Sequence, residues 1–192
     1  MKNSISISEG NMKLGHMPNV SLIPVKDCGN CEHCKRHCYA MKAWRMYPQV
    51  KAAWSRNSLA FREDATNACG QVGEWCRKRQ PRFFRWHVGG DVLNQEHADG
   101  IVRCAADCPD TKFLIFTKMH HLHYNEVPAN LTVVLSMFPG MDCPDSDLPK
   151  AWYQDGSESR IPEDGRECPG LCEGCGMCFS LRRKESVFFM AH

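Results

Sequence analysis

Hydrophobic side chains recur along the chain at two spacings, and each spacing predicts one kind of element. In the segment 83–88 hydrophobic and polar residues alternate, which predicts a strand that turns Phe84, Trp86 and Val88 to one face. Short runs of β-branched and aromatic residues predict further strands, at 19–25, 112–117, 131–136 and 186–190. Helical spacing predicts helices between them, from Tyr39 with a break at Pro48, then over 64–79 and 95–107.

Strands that alternate with helix-length segments predict an α/β fold with a parallel sheet and right-handed crossovers. About four or five such units are too few for an eight-stranded barrel, so we expect a partial, open β/α barrel. The 192 residues fit one domain that spans 1–192. Within it we expect residues 1–18 to form a loosely structured lead-in. Residues 139–167, rich in Pro, Gly and acidic groups, are predicted to form a long loop.

Composition narrows the class of protein. Hydrophobic residues at 43% and charged residues at 24% are ordinary for a globular domain, and a net charge of +2 is too small to imply nucleic acid by itself. No apolar run reaches the roughly 20 residues that cross a bilayer. The first residues also lack the apolar core of a signal peptide, so we expect a cytoplasmic protein without membrane contact. In such a reducing compartment, thirteen cysteines indicate metal ligands rather than disulfides.

Eight of these cysteines form two compact runs, one near each end of the chain. The first run has the spacing C-x2-C-x2-C-x3-C and consists of Cys28, Cys31, Cys34 and Cys38. The second run has the reverse spacing and consists of Cys168, Cys172, Cys175 and Cys178. The first spacing is that of bacterial ferredoxins, and such dense groups of thiols are more usual for iron–sulfur clusters than for zinc. The sequence therefore predicts two iron–sulfur clusters, held in cysteine-rich loops.

Two alternatives stay open at this point. One is a zinc-stabilised module that binds nucleic acid or a protein, in which His33 or His37 replaces a cysteine. The other is a simple electron carrier, which needs no substrate cavity. Two short basic groups, 77–79 and 182–184, favour a solvated surface over phosphate contacts. The remaining cysteines are interpreted mainly as small buried apolar side chains or, for one in a loop, as a spare thiol: Cys69, Cys76, Cys104, Cys108 and Cys143.

The segment Gly89-Gly90-Asp91, which ends the strand at 83–88, is the second candidate site. Glycines let the backbone approach a ligand closely, and the Asp91 carboxylate can hold an amino group or merely cap the turn. The face opposite Phe84 would carry two polar side chains towards the barrel interior, where α/β sites lie. The predicted catalytic residues are therefore Arg85, His87 and Asp91. The predicted cofactor-binding residues are Gly89, Gly90, Asp91, Thr117 and Ser136, the last two from the ends of neighbouring strands.

The order of elements resembles that of the radical S-adenosylmethionine enzymes: a strand, then a cysteine-rich loop, then a later strand that ends in Gly-Gly-acid. Those enzymes hold a four-iron cluster through a C-x3-C-x2-C loop, and Cys34 and Cys38 match its first two cysteines. Met41 stands at the third position and Asp91 replaces the usual glutamate, so the cluster would recruit Cys28 or Cys31. The resemblance implies a radical or redox enzyme with S-adenosylmethionine as a further cofactor. It also implies an electron donor such as a ferredoxin or a flavodoxin and leaves the substrate open.

The chain also resembles a small phage-associated family, gene product 88. This resemblance rests on the segments 11–15, 20–22, 38–40 and 85–91 and on the closing cysteines. It covers most of the chain and implies a shared architecture more than an activity.

Overall fold

The computed structural model of the protein describes residues 4–10 and 14–191, and its main feature is a parallel sheet of seven strands. The strands are β1 Asn19–Val20, β2 Phe83–Trp86, β3 Lys112–Thr117, β4 Leu131–Met137, β5 Lys150–Gln154, β6 Arg166–Glu167 and β7 Ser186–Met190. Their order in the sheet is β1-β2-β3-β4-β5-β7-β6. Among the described strands no pairing joins the two edges, so the sheet is open. The predicted α/β class with a parallel sheet is confirmed.

Most of the helices lie between the first three strands. Between β1 and β2 come α1 Tyr39–Met46, α2 Pro48–Glu63 and α3 Ala65–Arg79, and between β2 and β3 comes α4 Gln95–Ala106. Local chemistry sets their starts: Pro48 begins α2, the Asp64 carboxylate accepts from the Asn67 N–H at 2.8 Å, and the Asn94 side chain accepts from the His97 N–H at 3.0 Å. The single-turn α5 Cys172–Cys175 lies inside the second cysteine run. In the described part of the chain no helix is long and apolar enough to cross a membrane.

The larger hydrophobic core lies between one face of the sheet and the helices α2, α3 and α4. Phe84 and Trp86 of β2 are fully buried there, as the alternation of this strand predicted. Phe61 of α2 and Ile101 of α4 pack into the same core. Full burial of a side chain of this size contributes about 1.5–3 kcal/mol, so this layer is a main source of stability.

A smaller core covers the opposite face of the sheet and draws on both ends of the chain. Leu14 and Met17 are only 1% and 2% exposed there, and they pack with Phe179 from the segment of the second cysteine run. The part of the predicted lead-in that holds Leu14 and Met17 is therefore packed rather than loose. Residues from opposite ends of the chain meet beneath the second cysteine run.

Two sequence predictions need correction. The segment 139–167 is not a structureless loop, because it contains β5 next to β4 and the short β6. Within β5 only Ala151 and Trp152 are buried, and two residues are too few for a local alternation. The strand predicted at 19–25 is confined to β1, because a turn follows at 24–27 in which Val25 has a left-handed φ of 69°.

Candidate functional site

A buried aspartate anchors the loop that carries the first cysteine run. The side chain of Asp27, directly before Cys28, accepts from the Ile23 N–H at 3.0 Å and from the Ser58 hydroxyl. Arg62 of α2 forms an ion pair with the same carboxylate. The run therefore starts from a point fixed to α2. The sequence analysis missed Asp27, because no local spacing links it to Arg62.

Two thiols of the first run, those of Cys28 and Cys34, lie near one lysine. Burial raises the pKa of the Cys28 thiol to about 12, while the charge of Lys118 opposes this rise and the Cys34 thiol adds to it. Burial likewise raises the pKa of Cys34, with the thiols of Cys31 and Cys38 close enough to contribute. Lys118 follows β3, and its side chain is only 13% exposed. The first run thus has a largely buried cation beside its thiols.

Asp91 holds this lysine and joins the ends of two strands. Its fully buried carboxylate accepts from the Thr117 hydroxyl at 2.7 Å and from the N–H groups of Val92 and Lys118 at 2.8 and 2.9 Å. The Lys118 ammonium lies 3.3 Å from the same carboxylate. Burial lowers the pKa of Lys118, but Asp91 and the nearby thiols of Cys28 and Cys34 together outweigh it, so the pKa of Lys118 is raised. All the contacts of Asp91 named here are made within the protein, as in a structural cap.

The second cysteine run lies over the opposite face of the sheet from the helices. The Cys168 N–H donates to the Phe188 carbonyl of β7 at 2.8 Å, which fixes the start of the run. All four thiols line a narrow cavity of about 30 Å³ whose wall includes Arg85 of β2. Burial raises the pKa of Cys178 to about 12, with the other three thiols adding to the rise and Arg85 opposing it.

Arg85 is the cation of this second group. Its guanidinium stacks over the Phe116 ring at 4.8 Å, and its buried Nε has no hydrogen-bond acceptor among the described residues. A buried cationic N–H without an acceptor is costly, and here it belongs to a side chain that lines the cavity of the second run. The sequence analysis correctly predicted that the Arg85 side chain lies on the face of the sheet opposite the helices.

Tyr39 lies between the two runs. Its hydroxyl donates to the Val88 carbonyl at 2.7 Å. Desolvation of the hydroxyl end raises the pKa of Tyr39, although much of the residue is exposed; Arg85 opposes this rise, and Cys38 and Cys172 both add to it. One thiol from each run is therefore in electrostatic range of the same hydroxyl.

Across residues 4–10 and 14–191, no three Cys, His, Asp or Glu side chains are grouped so as to hold one metal ion.

His87 does not join Arg85, contrary to the strand alternation. Its left-handed φ of 50° breaks the alternation after Trp86 and sends the imidazole to the helix side of the sheet. There its Nε2 lies 3.1 Å from Nε2 of His97, and its ring meets the edge of Phe61 at 5.8 Å. His97 was not singled out from the sequence, since a lone histidine within a helix carries no pattern.

The hydrogen bonds of this histidine pair assign its protons. The Leu93 N–H donates to His97 Nδ1 at 3.3 Å, so His97 carries its proton on Nε2 and donates it to His87. His87 then carries its own proton on Nδ1, which has no partner among the described residues. Burial lowers the pKa of His87 to about 4 and lowers the pKa of His97 as well. Both rings are neutral at neutral pH.

The two predicted cofactor-binding glycines face the protein itself. Gly90 has a φ of 80°, and a Cβ built there would lie 2.5 Å from the Leu22 Cβ. A Cβ on Gly89 would lie 2.8 Å from the Trp54 ring. Ser136 is half-buried, and its carbonyl lies 3.0 Å from His120 Nε2. A cofactor-binding role for these residues stays a prediction, and the close packing already requires both glycines.

Of the five cysteines outside the runs, four are buried and one is exposed. Cys69 and Cys76 lie on α3 and are buried against α4. Cys104 of α4 and Cys108 just after it are buried on the other side of the same contact. Cys143 is exposed. The four buried thiols thus lie where small apolar side chains are expected.

A family model, Gene product 88, matches residues 2–151. The chain belongs to the Gene product 88 family. The match spans the first cysteine run and the strands β1 to β4, whereas the second run lies beyond it. Residues 11–13, on which the sequence resemblance partly rested, lie outside the described residues. No curated protein and no solved structure matches the chain.

Replacement of Gly90 by alanine should destabilise the fold. The positive φ and the contact with Leu22 leave no room for a Cβ, so we expect a loss of about 2–4 kcal/mol in the free energy of unfolding. Gly70 in α3 is the matched control, because a Cβ there meets nothing within 4 Å and Gly70→Ala should stabilise by about 0.5–1 kcal/mol. Urea unfolding measures both, and equal effects of the two substitutions would contradict this packing.

The histidine pair should make stability fall in mild acid. Because the folded-state pKa of His87 lies below its unfolded value, the unfolded chain takes up protons first as the pH falls below about 6.5. His87 alone should then lower the free energy of unfolding by about 2 kcal/mol between pH 7.5 and pH 5. Urea unfolding at several pH values measures this fall.

The variant His97→Gln removes one of the two titrating rings, so its pH-dependent fall should be smaller than that of the parent. His121→Gln, at an exposed histidine, should keep the full fall. The same pH dependence in all three proteins would show that the pair does not titrate in this way.

Proposed function

We propose that the protein is an iron–sulfur redox protein in which each cysteine run holds one cluster, of the four-iron type. The single observation that carries this proposal is the Arg85 guanidinium. It lines the cavity formed by four thiols, and its buried Nε lacks an acceptor among the described residues. A cluster ligated by Cys168, Cys172, Cys175 and Cys178 would supply that acceptor.

The charges around both runs support this assignment. Thiolates and inorganic sulfide together carry negative charge, and a buried charge requires compensation. Lys118 stands beside the first run and Arg85 beside the second, both in range of their thiols. Each run thus offers four sulfur donors with a cation nearby, although the cation of the first run is shared with Asp91, and thiolates are the donors that hold iron–sulfur clusters.

The second loop has space to adapt on its outer side. Its cavity of about 30 Å³ holds little more than a water molecule, so a cluster would push the loop outwards. Leu171 is 69% exposed and Cys175 is exposed as well, whereas Cys168, Cys172 and Cys178 pack against the smaller core, so the movement would have to come from the outer part of the loop.

When bound, such clusters supply one-electron transfer at a potential set by charge, hydrogen bonds and exposure. The residues of the chain would tune that potential: Arg85 and Lys118 through their charge, and Tyr39 as the group between the runs. The two clusters would supply acceptor sites for an electron from a ferredoxin or a flavodoxin. We therefore propose a redox enzyme of the radical type rather than a carrier, in line with the sequence resemblance.

Binding of S-adenosylmethionine at this site would require Asp91 to change its ion-pair partner. Its carboxylate is fully buried and is paired with Lys118 at 3.3 Å. An amino group of the cofactor would have to replace that ammonium, which would release Lys118 towards the thiols of the first run.

Anaerobically purified protein should contain iron and sulfide in equal amounts, about eight of each per chain for two four-iron clusters. Cys34→Ala and Cys172→Ala should each lose about half of both, because each removes a ligand from one run only. Chemical analysis of iron, sulfide and zinc per chain checks this. Cys143→Ala, at an exposed thiol outside the runs, serves as the control and should lose nothing. Zinc in place of iron would sink the proposal.

The variant Arg85→Met should keep its iron and lower the reduction potential of one cluster. Loss of a nearby positive charge disfavours the more negative reduced state, by on the order of 60 mV or more for a one-electron couple. Potentiometric titration followed by electron paramagnetic resonance measures both clusters. Arg82→Met is the control, since Arg82 is exposed and lies over the Phe83 ring. Unchanged potentials in Arg85→Met, at full iron content, would contradict the assigned role.

A further inference from the structure

A basic cleft lies beside the first cysteine run. It has a volume of about 690 Å³ and is bounded by helix α1 and the loop before it. Lys35 and Arg36 line one part, and Lys42 and Arg45 of α1 line another. All four side chains are exposed, and none forms an ion pair with a described residue. The cleft therefore concentrates positive charge that the protein does not neutralise itself.

The surrounding chain reinforces this charge. Between Glu32 and Glu63 there is no acidic residue, whereas seven basic ones occur, of which only Arg62 forms an ion pair with a described residue: Lys35, Arg36, Lys42, Arg45, Lys51, Arg56 and Arg62. The whole protein carries a net charge of only +2, so the excess is local. A concave surface lined by one sign of charge focuses the field and attracts the opposite charge.

Exposed aromatic rings flank the same helix. Tyr39 at the start of α1 is 54% exposed, and Tyr47 directly after its end is 47% exposed. Met46 beside it is 56% exposed. Large exposed apolar side chains close to a charged cleft are typical of binding surfaces, and aromatic rings offer flat faces for stacking.

We propose that this cleft binds single-stranded nucleic acid. Lys35, Arg36, Lys42 and Arg45 would contact backbone phosphates, and the rings of Tyr39 and Tyr47 would stack with unpaired bases. A basic groove with aromatic platforms is the usual construction of such sites. The cations line a hollow rather than a ridge, which favours a flexible strand over a rigid duplex.

The charge pattern favours a nucleic acid over an acidic protein. Interfaces between proteins usually match charges of both signs. The cleft is lined by four cations and no acidic residue among those described, and a phosphate backbone offers only anions. The proposal does not rest on the iron–sulfur assignment, although Cys38 also lines the cleft.

The test is a titration of anaerobically purified full-length protein into a fluorescein-labelled oligothymidylate of about 12 nucleotides, followed by anisotropy. We expect binding that weakens with salt, with a slope of log K against log salt of about −2 to −3 for three to four phosphate contacts. The double variant Lys42→Glu/Arg45→Glu should bind at least about tenfold more weakly. Tyr47→Ala should weaken binding with an unchanged slope, because it removes stacking and no charge.

The matched control is Arg182→Glu/Arg183→Glu, which changes the net charge by the same amount. These exposed arginines precede β7 at the amino end of the strand, whereas the cleft residues follow the carboxyl end of β1. The urea midpoint identifies any variant that fails to fold.

Three results would overturn the proposal. The first is no binding of the oligonucleotide, and the second is an equal loss in the control variant. The third is a duplex of the same length that binds as tightly as the single strand. Capture of an acidic flavodoxin by this cleft without binding of the oligonucleotide would assign the cleft to a protein partner instead. Because the variants retain both cysteine runs, these outcomes are independent of whether iron is present.

Discussion

The hydrogen bonds and ion pair of the buried Asp91 carboxylate hold the candidate site together. Through this carboxylate, Thr117 and Lys118 at the end of β3 are tied to the end of β2. The Asp91 N–H in turn donates to the Asp27 carbonyl at 2.8 Å, in the turn before the first cysteine run. Loss of one partner from such a buried pair typically costs about 3–5 kcal/mol, because the other charge remains without compensation. One residue thus fixes the loop, the strand ends and the lysine together.

The same constraint distinguishes the two cysteine runs. Lys118 already has a carboxylate partner, so the first run faces a nearly neutral pair. Arg85 has no carboxylate partner among the described residues, so the second run faces a net positive charge. Two clusters in these positions would differ in reduction potential, with the second the easier to reduce.

Local patterns in the sequence predicted most of the helices and strands of the fold. The strands β3 and β7 and the helices α3 and α4 begin and end within about two residues of their predicted bounds, because each repeats a spacing along its own length. The strand β5 was missed, since only two of its side chains are buried and its stability comes from β4 and β7 on either side. For the site, the sequence pointed to both cysteine runs and to Arg85, but not to the anchor Asp27.

The sequence by itself determined most of the helices and strands and the spacing of the thiols, since both depend on residues a few positions apart. Only the tertiary structure decided that the His87 ring lies on the helix side of the sheet, that Asp91 forms an ion pair with Lys118 and that Arg85 faces the second run. These outcomes depend on side chains that the register of the sheet brings together from distant parts of the chain. Burial and charge compensation act between such neighbours, and no local spacing contains them.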